Sequence, residues 1–300
     1  MKVGKRKPSK LTPEHQLLER LINEAGKQLD VHNPDIDAVA AIFDGYSPGT
    51  VAEPLIPAAS LVENGKFPKL PRGRPLPGFK KLSKATGGLF GLWAIAGEPG
   101  IGKSTFVNQI VYHWLKEYPC LDYQYEMPVN TILAQMFIAA TAAKREKHLQ
   151  QRLKQLYFRS DIGTLDSDLQ EIKPPAMIVV DSLQSLPTST KHELQSYKQW
   201  LLKFERLAKQ GYYVVLVSEK PRASYGHVDL AGFKSFAVEY KAWIGIQLLG
   251  DSDDRGAPLE LHVVKNRFRA ANGHVCDLIR DTDRVFWFRE SDAGHDEDLD

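Results

Sequence analysis

Cysteine is scarce in this chain. Only Cys120 and Cys276 occur in 300 residues, and they form no C-x-x-C pair. That excludes a zinc ribbon and leaves no disulfide framework to expect. Long apolar runs are missing too, with nothing near the roughly 18 residues of a membrane span. The basic opening "MKVGKRKPSK" lacks the apolar stretch that follows it in a signal peptide. A cytoplasmic protein without membrane contact is expected. Charge of one sign is missing twice. No acid occurs from Asn64 to Gly97, against seven bases, and the last eleven residues hold six acids and no Lys or Arg. The formal net charge of +2 therefore conceals a basic body, which suits polyanionic partners, although the acidic end reads equally well as a solubilising tail.

What is present divides into four stretches. Residues 1–50 read as a small helical extension, with Thr12 and Pro13 as a helix start and Leu17, Leu18, Leu21, Ile22, Ala25 and Leu29 at helical spacing. Residues 51–75 read as a proline-rich basic connector, 76–290 as the main domain and 291–300 as an acidic disordered tail. In the main domain strand and helix signals alternate. "LWAIAG" (92–97), "LDYQYEM" (121–127), "LYFRSDI" (156–162), "AMIVVD" (176–181) and "YYVVLVS" (212–218) read as strands. Between them lie the helical patterns of Phe106 to Leu115, "VNTILAQMFIAATA" (129–142) and Leu194 to Ala208. Such alternation predicts an α/β fold, a mainly parallel sheet flanked by helices. The end changes character: "LELHVVKN", "HVCDLIRD" and "VFWFRE" are strands without helices between them, hence antiparallel, with Asn272-Gly273 as a tight turn.

"GEPGIGKST" fits G-x-x-x-x-G-K-[ST] and stands between an apolar strand and an amphipathic helix. Gly97, Glu98, Pro99, Gly100, Ile101, Gly102, Lys103, Ser104 and Thr105 are the expected nucleotide-binding run. Backbone N–H groups there curl around phosphate oxygens, and the helix N-terminus adds positive potential. Lys103 reaches the β- and γ-phosphates, and Ser104 holds Mg²⁺. Asp181, closing "MIVVD", is placed to be the second metal acid, with a plain helix N-cap as the bland reading. Glu126 falls at the end of the strand after the phosphate loop, at the sheet edge where ligands bind. There it can orient or deprotonate water, or simply be solvated. "VVKNRF" carries Lys265 and Arg267 two positions apart, a strand spacing that aims both charges to one side.

"KLSKATGGL", "GEPGIGKST" and "YEMP" together resemble the ATPase core of DnaB-type replicative helicases. "TLDSDLQEIKPPAMIVVDSLQSL", "LAGFKSFAVEYKAWIGIQLLGD" and "VVKNRF" resemble the RadA (Sms) recombination helicase, within the RecA superfamily. The resemblance runs over residues 76–290. It implies a RecA-like P-loop NTPase, assembled as a homo-oligomeric ring, a hexamer, or as a filament, with ATP and Mg²⁺ between protomers. It also implies Glu126 as the water-activating carboxylate, and Lys265 and Arg267 as cations reaching a neighbour's γ-phosphate. The helix at 13–29 resembles a DnaB linker helix that docks on the adjacent protomer. Departures are the missing four-cysteine element of RadA, the missing DnaB N-terminal domain, "SEKPR" after the fifth strand, and Arg269 where RadA has Gly.

For nucleic acid, the loop "EKPRASYGHVDLAGFK" (219–234) offers Lys220, Arg222, Tyr225 and Lys234 to single-stranded DNA, unless it is only a surface loop. "KREKHLQQRLKQ" (144–155) reads better as a solvated basic helix face. The expected activity is ATP hydrolysis by a DNA-acting motor, a helicase or single-strand translocase in replication or recombination alongside other proteins of those processes. The competing expectation is a KaiC-like ATPase whose nucleotide state controls assembly without translocation.

Overall fold

The structure, a computed structural model, describes residues 73–142, 146–188, 193–220, 241–251, 256–269, 273–280 and 287–291, with Tyr225, Val228, Val238 and Asp254. The expected N-terminal extension, most of the connector, the tail beyond Ser291, Arg222 and Lys234 lie outside the described residues.

Six strands run parallel: β1 (Leu92–Gly97), β2 (Cys120–Gln124), β3 (Leu156–Arg159), β4 (Met177–Asp181), β5 (Tyr213–Glu219) and β6 (Ile244–Leu249). Three more continue the sheet antiparallel: β7 (Leu259–Asn266), β8 (Gly273–Arg280) and β9 (Phe288–Glu290). Across the sheet the order is β3-β2-β4-β5-β1-β6-β7-β8-β9. The helices are α1 (Lys80–Thr86), α2 (Lys103–Trp114), α3 (Val129–Ala142), α4 (Glu146–Leu153), α5 (Leu165–Glu171) and α6 (Glu193–Lys209).

β1, β2, β4 and β6 are buried along their whole length, and β1 and, up to its closing Asp181, β4 read as unbroken apolar runs. Phe106, Ile110, Ile132, Met136 and Leu149 of α2 to α4 pack on one face. Leu165 of α5 and Leu201, Phe204 and Leu207 of α6 pack on the other. Handedness explains this division. A parallel crossover is right-handed, so connections running one way along the sheet lie on one face and those running back lie on the other. The direction reverses between β1 and β5 and again between β2 and β4, opening two crevices at the C-terminal ends of the strands. Ligands of doubly wound sheets sit in such crevices.

Three elements differ from expectation. The second strand stops at Gln124 and leaves "YEM" outside it. β6 is a full strand that the strand and helix alternation does not single out. α1 forms at the start of the main domain, where no helix was read from the sequence. Its Lys81 and Leu82 N–H groups donate to the Glu290 carboxylate at 2.8 and 3.0 Å, which satisfies helix-end donors from β9.

β9 is also tied to α2. Gln109 donates from Nε2 to Phe288 O at 2.9 Å and accepts the Phe288 N–H on Oε1 at 2.8 Å, all in the interior. Gln109→Leu would strand both peptide groups, a cost of about 3 kcal/mol. Urea unfolding should report a lower midpoint. An unchanged midpoint would mean that water replaces the amide there.

Candidate nucleotide site

β1 ends at Gly97 and the chain turns back through Gly100 (φ 76°) and Gly102 (φ 108°) into α2. Both angles lie in the left-handed region that favours glycine. A Cβ on Gly102 would also stand 2.9 Å from the Phe288 ring. Lys103 is 7% exposed, and its Nζ donates to Gly97 O at 3.1 Å and Glu98 O at 2.8 Å. Burial pushes its pKa down, against the pull of Glu219, Glu126, Asp181 and Glu98. The ammonium therefore sits among four carboxylates. Ser104 Oγ donates to Asp181 Oδ2 at 2.6 Å, while the buried Oδ1 of Asp181 has no hydrogen-bond partner. Burial raises the Asp181 pKa, the Ser104 bond opposes that rise, and Glu126 adds to it. A hydroxyl and a carboxylate at the helix N-terminus, with one oxygen left over, fit a hard cation such as Mg²⁺.

The two crevices divide the functional residues. At β1/β5 stand the phosphate loop, Glu219 and Lys220. At β2/β4 stand Asp181 and, just past the end of β2, the exposed Glu126. Glu126 lies close enough for its charge to act on both Lys103 and Asp181. Lys220 is only 3% exposed, and its N–H donates to Gly97 O at 3.1 Å. It therefore belongs to the nucleotide crevice by position, not to an open loop as the sequence suggests. Tyr225 is half-buried in a turn.

Lys265 and Arg267 are at the other edge of the sheet. Asn266 pairs with Ile244, which is also level with Trp93 near the start of β1. From that level to Gly97 is four residues of strand, about 13 Å. The two cations thus cannot meet their own phosphate loop. β7 stops at Asn266, so strand alternation covers Lys265 and not Arg267. Arg267 follows in an exposed bend, its N–H donating to Trp243 O at 3.0 Å, and its charge reaches Glu205 of α6.

The sequence reading misses a buried polar layer beneath Asp181. Asp122 is fully buried, Gln124 faces the same way two residues on, and Gln124 Nε2 donates to Asp122 Oδ1 at 3.0 Å. Gln124 is level with Asp181 across the β2–β4 pair. Polar residues two apart in a strand that leads to Glu126 were the available signal. Burial, with the charge of Asp181 adding, pushes the Asp122 carboxyl up to about 8 against the Gln124 hydrogen bond. An acid whose pKa is raised by folding stabilises the fold fully at low pH, and loses that contribution as pH rises through the raised value. Asp122→Asn cannot ionise. Its melting temperature should therefore gain on the wild type between about pH 5 and about pH 8. Parallel curves would show that Asp122 is charged in the fold.

No family model matches the chain. Two curated proteins from Mycobacterium tuberculosis strains, both DNA repair protein RadA, are 22% identical over 223 residues, which is 70% of this chain and 43% of theirs. The chain thus spans less than half the length of those relatives. Among solved structures, an ATPase domain superposes with a TM-score of 0.60 at 16% identity, covering 73% of this chain and 91% of that one. A DnaB-like replicative helicase, solved in a study of its interactions with primase, gives 0.64 at 15% identity over 92% of this chain and 76% of its own. The strand order and phosphate loop thus form the RecA-like fold shared with these two solved structures, and the likeness to RadA extends over 223 residues of sequence.

Proposed function

We propose that the chain is an ATP-hydrolysing motor that works as an oligomer on single-stranded DNA, in replication or recombination. One observation carries the oligomeric part: the phosphate loop and the cations of "VVKNRF" occupy opposite edges of one sheet. A closed site needs the loop of one protomer and Lys265 and Arg267 of the next. The basic body of the chain supports a polyanionic track. The DnaB-like and RadA relatives support DNA as that track.

In this reading Lys103 leaves the Gly97 and Glu98 carbonyls for the β- and γ-phosphates. Ser104 and Asp181 would hold Mg²⁺, which would supply neutralising charge for the phosphates when bound. Glu126 orients the attacking water and takes its proton. The neighbour's Lys265 and Arg267 offset charge on the transferred phosphoryl group. Lys103→Ala, Asp181→Asn and Glu126→Gln should each abolish turnover.

The first measurement is the steady-state ATPase rate with and without single-stranded DNA, at low and at physiological salt. Stimulation of about tenfold that weakens with salt is expected of a motor on a phosphate track. A rate indifferent to DNA at both salts would sink the motor and leave a nucleotide-switched assembly ATPase. Mixing Arg267→Ala with Lys103→Ala protomers tests the shared site. Each variant alone should lose roughly 1,000-fold, and mixed interfaces with one intact loop and one intact cation pair should recover part of the rate. No recovery would place both functions in one protomer.

A further inference from the structure

We propose that Asn266 and Phe268 are positioning residues that set where Lys265 and Arg267 can reach, an inference that rests on the shared-site reading above. "VVKNRF" alternates between residues that dock on their own protomer and residues that carry charge. Asn266 uses both ends of its amide. Nδ2 donates to Ala85 O at 3.2 Å, in the last turn of α1, while Oδ1 accepts the N–H groups of Phe268 at 3.0 Å and Arg269 at 3.1 Å. The first contact fixes the strand end to α1. The other two close the bend on which Arg267 sits.

Phe268 then plugs an aromatic cluster. Its ring centroid lies 5.1 Å from Phe90 and 5.6 Å from Trp243, both in edge-on arrangements. Trp243 is itself bound at two points, by its N–H to Leu92 O at 2.8 Å and by its carbonyl, which accepts the Arg267 N–H. Its ring covers Gly91, where φ is 66° and a Cβ would collide with the ring. Arg269 is also used for docking, since its guanidinium lies over Gly87, within 2.6 Å of where a Cβ would stand. The mount therefore rests on the segment that enters β1, and Arg269 is a strap and not a third finger.

Such a mount matters because a trans cation acts only if it is held in place before the phosphoryl group moves. A misplacement of about 1 Å can cost roughly 100-fold in rate. Asn266 and Phe268 would then act on the transition state without touching substrate.

The test uses full-length chains. Asn266→Ala and Phe268→Ala are expected to lower kcat roughly 100-fold, with binding of a fluorescent ATP analogue and oligomer size unchanged. Phe268→Leu, which keeps an apolar plug, should recover much of the rate. Mixing either alanine variant with Lys103→Ala protomers should restore part of the activity, because the variant then supplies the loop and its neighbour the intact mount. A structural defect would give no such rescue. Failure of rescue, or kcat near the wild type in Asn266→Ala while Arg267→Ala is inactive, would overturn the mount and leave the cations in their role. Full activity in Arg267→Ala would instead remove the shared-site reading, and the mount with it.

Discussion

The parallel register of β1 constrains everything else in this protein. A parallel strand presents its two ends to opposite edges of the sheet, and β1 has work at both. Its C-terminal end delivers Gly97 into the phosphate loop, and its N-terminal end, at Gly91 and Leu92, supports Trp243 and the bend after β7. Because the last strands return antiparallel from β6, the charge-bearing end of β7 is delivered to the edge away from the phosphates. No side-chain rearrangement spans that distance. The separation of the phosphate loop from Lys265 and Arg267 is thus a property of chain topology, not of any one residue.

Much of this was legible in the chain. The phosphate loop was readable because its glycines serve backbone geometry that no other residue tolerates, and Gly102 meets that need twice, by its φ and by the nearby Phe288 ring. Asp181 was readable because a carboxylate closing an unbroken apolar run must sit at a strand end. The RecA-like fold followed from alternation and from motifs in the right order. α1 was not legible. Its first turn is satisfied by Glu290, 208 residues further along the chain than Leu82, which local propensity cannot see. Lys220 looked like an exposed cation because charge usually implies solvent, yet β5 pairs with β1 and carries it under the loop. β6 was hidden by the long segment between it and β5.

The polar layer under Asp181 shows a different limit. Asp122 and Gln124 stand in a strand whose remaining residues are apolar and whose burial is complete. Sequence alone gives no reason for a carboxyl to be kept there. The fold supplies one: Gln124 stands level with Asp181 across the β2–β4 pair, and Asp122 holds the Gln124 amide by a hydrogen bond. A neutral acid bonded to an amide adds orientation without a second negative charge beside the site.

Among the described residues the nine-stranded sheet ends in two edge strands, and an uncovered edge is an invitation for another chain to add a strand. One side is β3, only four residues long, which offers little to pair with. The other is β9, and there Gln109 has already taken both the donor and the acceptor of Phe288. A side-chain amide imitates the missing neighbour strand and caps the ladder. Copies crowded together in an assembly consequently find no free peptide at Phe288 to zip onto. Strand addition at that point is closed off, and aggregation loses one of its easiest starting places.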